Sequence, residues 1–182
     1  MTSDEELLEA ALHSDEGAFT ALYRRRQGAV YRFALHMSGD AAVSEDVTQE
    51  VFMALLESGG RFDPARGTLL SFVYGIARNL LLRRLEKKRP QDLDTLADEP
   101  TADDDVLDDL TRRETIEAVR SAVLSLPAPY REAVVLCDLE NASYEDAAAA
   151  LECPVGTVWS RLSRGRAMLG QKLAVKTARS MS

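Results

Sequence analysis

Apolar residues recur at helical spacing along almost the whole chain, and this periodicity limits the folds open to it. In one segment they recur every four residues, at Val43, Val47, Val51 and Leu55. Such spacing places side chains on one face of an α-helix. No window alternates convincingly at a period of two, which is the pattern of a half-buried strand. The chain is therefore predicted to be all-α.

A short acidic run divides the chain into two parts. The net charge is -8, but nine acidic side chains fall within 91–111, where there is no Lys or Arg. Poor apolar periodicity and like-charge repulsion there predict a flexible acidic linker. We therefore expect two small helical domains, at 1–90 and 111–176, with the linker at 91–110 and a tail at 177–182. Each domain keeps a basic cluster suited to phosphate.

Residues 143–173 have the pattern of a helix-turn-helix. Ser143 can cap a short alanine-rich helix, and Glu152 begins the turn before the final helix, at the place where a residue of positive φ is expected. The final helix is expected to place five apolar residues toward a core: Val155, Val158, Leu162, Leu169 and Leu173. Its exposed side is expected to carry a stripe at i, i+4 and i+7: Thr157, Arg161 and Arg164. Because no acidic residue follows Glu152, the exposed side of the final helix favours DNA. An ordinary amphipathic surface helix is the alternative. The side chains placed to contact bases and phosphates are Thr157, Ser160, Arg161, Ser163, Arg164 and Arg166.

Three segments, in this order, resemble those of the bacterial extracytoplasmic-function (ECF) sigma factors. Residues 45–52 (EDVTQEVF) are similar to the helix of that family that binds core RNA polymerase. Residues 71–79 (SFVYGIARN) resemble its promoter-melting helix, and 154–166 (PVGTVWSRLSRGR) its minus-thirty-five recognition helix. Trp159 stands where the family usually carries a basic or polar residue. The resemblance covers nearly all of 7–173 and implies an alternative sigma factor that melts promoter DNA and starts transcription of a stress or envelope regulon.

The resemblance also implies roles for individual residues. Core RNA polymerase, through the clamp helices of its largest subunit, is expected to contact Asp46, Gln49, Glu50 and Met53. The flap of the second subunit is a further expected contact. Minus-ten DNA is expected to contact Phe62, Tyr74, Arg78, Asn79, Arg83 and Arg84. In a melted promoter, aromatic rings can stack on bases, an amide can bond to a base edge, and arginines can hold phosphates.

Two other functions fit parts of the sequence. An operator-binding helix-turn-helix regulator would use the same C-terminal motif without polymerase, although the two N-terminal segments argue against it. A helical adaptor that binds proteins through the acidic linker is the third interpretation. The sequence contains no nucleophile–base set, phosphate-binding glycine loop or metal-ligand spacing. We therefore expect neither enzymatic activity nor a cofactor or metal.

Composition also suggests where the protein acts. The chain has no basic, apolar leader and no apolar run of the ~18 residues that a membrane span needs. A cytoplasmic protein without membrane insertion is therefore expected, and the family resemblance adds an anti-sigma factor that could hold it at the membrane. Cys137 is expected in the core. Cys153 is expected to be a structural residue beside the turn, with redox sensing as the alternative.

Overall fold

The computed structural model describes residues 2–87 and 108–180, and every regular element in them is helical. In chain order the α-helices are α1 (Asp4–Leu12), α2 (Glu16–Ser38), α3 (Ala41–Ser58), α4 (Leu69–Lys87), α5 (Asp108–Leu124), α6 (Ala128–Val134), α7 (Tyr144–Leu151) and α8 (Val155–Ser180). Short 3-10 turns at Gly59–Arg61 and Pro64–Arg66 join α3 to α4, and a π-helical turn at Val135–Leu139 follows α6. The all-α prediction is confirmed. Most of the predicted linker lies outside the described residues.

Side-chain caps explain where several helices begin. Ser3 Oγ accepts the Glu6 N–H at 3.1 Å, and the Glu6 carboxylate accepts the Ser3 N–H at 2.7 Å, which together form a capping box. Asp15 caps α2 and Asp40 caps α3 in the same way, through a side-chain oxygen. Ser143 caps α7, as its sequence predicts. These helix starts are thus fixed by residues close in the chain.

Helices α1 to α4 form an N-terminal domain around an aromatic core. Phe33 and Phe52 are buried, and the ring of Phe52 meets that of Tyr23 edge-on with 4.8 Å between centroids. The apolar stripe of α3 packs inward, with Val47 and Leu55 fully buried. Burying this stripe turns the opposite side of α3 toward solvent.

Helices α5 to α8 form the C-terminal domain with its helix-turn-helix. Glu152 ends α7 in the left-handed conformation, with φ of +50°, at the position predicted from sequence. That conformation costs about 1 kcal/mol for a residue with a side chain. Helix α8 packs through Val158 and Leu162. Val155 was expected to face the core, but it is 37% exposed because it begins α8 at the edge of a surface cleft.

The two domains pack directly against each other. Helix α4 lies along α7, and Gly75 allows the approach because a Cβ there would already lie 3.4 Å from the carbonyl oxygen of Ala150. Thr68 donates its N–H and its Oγ1 hydroxyl to Asp146 Oδ1, at 3.2 and 2.9 Å. These contacts bring the helix-turn-helix beside the loop that precedes α4.

A second contact joins the end of α2 to the C-terminal domain. Arg131 donates through Nη1 to the Met37 carbonyl at 2.7 Å and through Nη2 to the Leu126 carbonyl at 3.0 Å. Gly39 ends α2 with φ of +70°, and a Cβ there would lie 2.7 Å from Leu124 Cδ1. The left-handed backbone conformation therefore favours glycine, whereas the end of the Leu124 side chain could shift to admit a Cβ.

Candidate nucleic-acid interface

The exposed side of α8 begins directly after the turn. Ser160, Ser163 and Arg164 are exposed, whereas Thr157 and Arg161 are half-buried. In the predicted stripe of Thr157, Arg161 and Arg164, only the Arg164 side chain is therefore exposed. Ser160 Oγ donates to the Thr157 carbonyl at 3.0 Å, which orders the hydroxyl along the helix. The face is polar and basic, as major-groove binding requires.

Arg166 is exposed, but its guanidinium already has a partner inside the protein. Its Nε and Nη2 donate to Asp138 Oδ2 and Oδ1 at 3.0 and 2.6 Å, a bidentate pair. The hydrogen bond to Asp138 raises the pKa of Arg166. The charge of Arg166 is thus held against the π-helical turn in this structure, and its contact with DNA stays a prediction.

Trp159 is an exposed aromatic residue on α8 that sequence reasoning did not place among the DNA contacts. Its side chain is 60% exposed. One side of the indole packs on the ring of Tyr144, with 5.3 Å between centroids and an interplanar angle of 56°. The sequence already marked this position, because tryptophan replaces the basic or polar residue that is usual in the family. Its exposure on α8 makes Trp159 a candidate contact with DNA.

A cleft of about 570 Å³ separates the loop at 61–67 from the helix-turn-helix. Phe62 is half-buried on its wall, and its ring packs on Phe72 with 5.7 Å between centroids. Arg61 is exposed on the same loop, and Val155 lines the opposite side. An aromatic ring beside an exposed arginine suits a base and its phosphate.

Two residues expected to contact minus-ten DNA lie between the domains instead. Tyr74 is 2% exposed, its ring packs against Phe33 at 5.2 Å, and its hydroxyl donates to Glu140 Oε2 at 3.3 Å. Arg78 Nε donates to Glu132 Oε1 at 2.8 Å. Because the C-terminal domain packs along this side of α4, neither residue offers the free stacking surface or free cation that the sequence suggested. In this arrangement both side chains have partners within the protein, and their contact with minus-ten DNA stays a prediction.

The following turns of α4 are more open. Asn79 and Arg83 are exposed, and Arg83 Nε donates to the Asn79 carbonyl at 3.4 Å. Arg84 reaches back to α3, where it pairs with Glu50 and lies 3.8 Å from Asp46. The charge of Arg84 is therefore shared with two carboxylates in this structure, and its contact with minus-ten DNA stays a prediction. Asn79 and Arg83 remain accessible.

The predicted polymerase-binding residues share one surface of α3. All of them are exposed, as the helical spacing predicts: Asp46, Gln49, Glu50 and Met53. Met53 is 64% exposed, an apolar side chain among acidic and amide groups. Arg84 places one positive charge at the edge of this surface. The surface is open to a partner in this structure.

A buried carboxylate lies where α2, α4 and the π-helical turn meet. The Glu140 side chain is 1% exposed and accepts from Arg32 Nη2 at 3.2 Å and from Tyr74 Oη at 3.3 Å. Burial raises the pKa of Glu140, although both partners favour its charged form. Nearby, burial lowers the pKa of His36, and the positive charges of Arg120 and Arg32 add to that effect. The domain contact thus contains groups that resist ionisation.

Residues 2–87 and 108–180 form neither an evident metal site nor an evident membrane span. No cluster of three or more His, Cys, Asp or Glu side chains there is arranged to hold a metal ion. None of the helices in the same residues has the length and apolar character to span a membrane. Cys137 and Cys153 are free and half-buried, and burial raises the pKa of Cys137 to about 11.

Comparison with known proteins gives a consistent family. The model of Sigma-70 region 2 matches residues 22–91, and the model of Sigma-70 region 4 matches 116–169. The chain is 35% identical over 160 residues to the ECF RNA polymerase sigma factor SigE of Mycolicibacterium smegmatis, covering 84% of this chain and 60% of that protein. It is 32% identical over 183 residues to the RNA polymerase sigma-H factor of Pseudomonas aeruginosa, covering 93% of each.

The structure is also similar to a solved sigma factor. It matches RpoE, in complex with the anti-sigma factor NepR, from Bartonella quintana with a TM-score of 0.70 and 26% identity. The match covers 86% of this chain and 97% of that one. Both domains and their order along the chain therefore agree with these proteins. The chain belongs to the ECF RNA polymerase sigma factors of the sigma-70 family, alternative sigma factors that recognise promoter DNA and initiate transcription with core RNA polymerase.

Proposed function

We propose that this sigma factor acts without catalysis of its own, through one polymerase-binding surface and two DNA-binding surfaces. The domains at 1–90 and 111–176 carry them, joined by the linker at 91–110. The observation that carries the proposal is the exposed side of α8, where serines and Arg164 are open to solvent. A helix of this kind enters the major groove through its N-terminal part. The regulon is one that responds to stress or serves the envelope.

The side chains of the minus-thirty-five surface differ in their exposure and in whether they already pair with another residue. Arg164 is exposed and suits a guanine edge or a phosphate, and Ser160 and Ser163 suit short polar contacts. Thr157 and Arg161 lie half-buried at the flank, where a contact to the DNA backbone fits better than one to a base. Arg166 contributes only at the opposite flank, with its charge shared with Asp138. The set is thus centred on Arg164.

The polymerase-binding surface is the exposed side of α3. Asp46, Gln49 and Glu50 surround the exposed Met53, so a partner could bury the apolar side chain while pairing with the acids. We assign this surface to the clamp helices of the largest polymerase subunit. The C-terminal domain would contact the flap of the second subunit. The two contacts would hold the domains apart on the enzyme.

The minus-ten surface combines the loop at 61–67 with the exposed side of α4. Phe62 can stack on a base of the melted strand, Asn79 can bond to a base edge, and Arg83 can hold a phosphate. Tyr74 and Arg78 are engaged by the C-terminal domain. They can join this surface only after the two domains separate.

An anti-sigma factor is a further partner under this proposal. The support is that the similar RpoE structure is itself a complex with the anti-sigma factor NepR. Such a partner could hold a cytoplasmic sigma factor inactive. If the partner is anchored in the membrane, it could also hold the sigma factor there. The close packing of α4 on α7 shows that the two domains can adopt a compact arrangement suited to being held in this way.

Run-off transcription with purified core RNA polymerase tests the proposal. We expect specific transcripts only when this chain and core enzyme are both present, and open-complex formation detectable with permanganate. An operator-binding regulator would instead bind its duplex site without core enzyme and yield no core-dependent transcript. That result would overturn the proposal.

Charge reversal on α3 sharpens the test. Asp46→Lys combined with Glu50→Lys should abolish co-elution with core enzyme. The control is Glu5→Lys combined with Glu9→Lys, which makes the same charge change at exposed positions of α1. Equal binding by both double variants would place the polymerase contact elsewhere, while unchanged circular dichroism would show that neither variant had unfolded.

A further inference from the structure

Trp159 is a large apolar side chain on a helix whose exposed side is otherwise polar and basic. It belongs to the second turn of α8 and is 60% exposed. The neighbouring exposed positions are Ser160 and Ser163, with Arg164 beyond them. These neighbours carry hydroxyls and a cation but no carboxylate, so the surroundings of the indole match DNA in charge.

The indole packs against another aromatic ring of the same domain. One side packs on Tyr144 at 5.3 Å between ring centroids, and Tyr144 is itself half-buried at the start of α7. On the same flank of α8, seven residues on, Arg166 is fixed to Asp138 by two hydrogen bonds. A rigid aromatic side chain loses little conformational entropy on binding. This flank therefore has internal contacts before any partner binds, and the exposed part of the Trp159 side chain is its large apolar surface.

Base edges in the major groove offer one apolar group, the 5-methyl of thymine. The other groups there are hydrogen-bond donors and acceptors, which an indole carbon edge cannot satisfy. We propose that Trp159 is a specificity-determining residue that selects thymine in the minus-thirty-five element by packing against this methyl group. The inference rests on the proposed function of α8 and adds a large apolar contact to the exposed serines and Arg164 of that helix.

Replacing thymine by uracil tests this contact because uracil lacks only the methyl group. Holoenzyme reconstituted from this full chain and core polymerase would first select preferred duplexes from a library randomised across the upstream element. Each selected thymine would then be replaced in turn by deoxyuridine. Burying one methyl group contributes about 0.8 kcal/mol, so we expect affinity to fall about fourfold at one position. Trp159→Ala holoenzyme should lose about as much or more on thymine DNA and show no further loss on uracil DNA.

Two further variants separate the possible outcomes. Trp159→Phe should retain part of the preference for thymine. Arg164→Ala should weaken binding to thymine and uracil DNA alike, leaving the ratio between them unchanged. If Trp159→Ala keeps the full ratio, the proposal is wrong. If it instead weakens binding to core enzyme in the absence of DNA, Trp159 is a polymerase contact and the proposal is also overturned. Failure of wild-type holoenzyme to select any upstream sequence would refute the proposed function of α8 itself.

Discussion

Arg78 and Glu132 form an ion pair that joins the two domains, with 2.8 Å between Nε and Oε1. The Glu132 side chain is 2% exposed and that of Arg78 is 20% exposed. A carboxylate so deeply buried depends on its partner for charge compensation. An arginine proposed to contact promoter phosphates is thus held by the other domain, so DNA and Glu132 compete for the same guanidinium.

Removing Arg78 should therefore loosen the domain contact. In Arg78→Ala the Glu132 carboxylate loses this ion pair, and leaving a buried charge unpaired costs about 3 kcal/mol. We expect the domains to separate rather than unfold, which small-angle X-ray scattering would detect as a larger radius of gyration. Arg83→Ala, an exposed arginine on the same helix, is the control and should leave the radius unchanged. Equal radii for both variants would show that the pair does not hold the domains together.

A side chain at Gly75 should separate α4 from α7. A Cβ alone would lie 3.4 Å from the Ala150 carbonyl oxygen and 3.9 Å from its Cα, so Gly75→Ala should be accommodated. Gly75→Leu adds a branched group with no room at this approach. We expect only the leucine variant to show a larger radius of gyration in small-angle X-ray scattering, with its helical circular dichroism unchanged. Equal radii for the two variants would indicate that the helices already sit apart in solution.

The helices and their ends were predictable because the interactions that set them are local. The caps of α2 and α7, at Asp15 and Ser143, act on residues three positions ahead. The left-handed conformation at Glu152 was predictable because this residue directly follows one helical pattern, and only two residues separate it from the next. The predicted burial of Val155 was wrong because this residue begins α8 at the edge of the cleft, and which elements cover the start of a helix is not a local property.

The contact between the domains was not predictable, and it changes which residues of the site are exposed and unpaired. Arg78 and Glu132 are 54 positions apart, and Thr68 and Asp146 are 78 apart. Such pairs depend on how α4 lies along α7, which no local pattern specifies. In the sequence Arg78 belongs to a basic run and therefore suggests a free cation. The available signal was Gly75, since a glycine inside a helix is unfavourable unless another backbone comes close.

Two arginines on α8 should differ in their importance for promoter binding. Arg164 is exposed, so Arg164→Ala should weaken binding to the upstream element by about 1–3 kcal/mol if it reads a base. Arg166 shares its charge with Asp138, so Arg166→Ala should cost less and reduce binding equally on scrambled elements. Holoenzyme titrations on intact and scrambled promoters would measure both. A larger, sequence-dependent loss for Arg166→Ala would reverse the assignment.

The thiol of Cys137 should be unreactive in the native protein. Its pKa is raised to about 11, first by burial and then by Asp138, so about one thiol in a thousand is ionised at pH 8. In a Cys153→Ser variant, Cys137 is the sole thiol, and iodoacetamide should modify it about 100-fold more slowly in buffer than in urea. Comparable rates would mean an accessible thiolate and would support redox sensing at this position.

Glu140 gives the domain contact a dependence on pH. Burial is the largest influence on its pKa and raises it, despite the hydrogen bonds from Arg32 and Tyr74. The packed state therefore holds the proton more tightly than the unfolded chain does. It follows that the contribution of Glu140 to stability is fully present below its unfolded pKa of 4.5 and is lost as pH rises through the raised value. At neutral pH the ionised carboxylate is a cost.

Glu140→Gln should consequently stabilise the protein at neutral pH and have little effect near pH 4, where the wild-type carboxyl is already protonated in the packed state. Urea unfolding of both proteins between pH 4 and pH 8 would measure the difference in unfolding free energy. Because the pKa of His36 is lowered in the folded state, both proteins lose the same amount of stability as pH falls below 6.5. This loss therefore cancels in the difference in unfolding free energy. A glutamine variant less stable than wild type at pH 7 would show that the interactions of the charged carboxylate with Arg32 and Tyr74 outweigh the cost of burial.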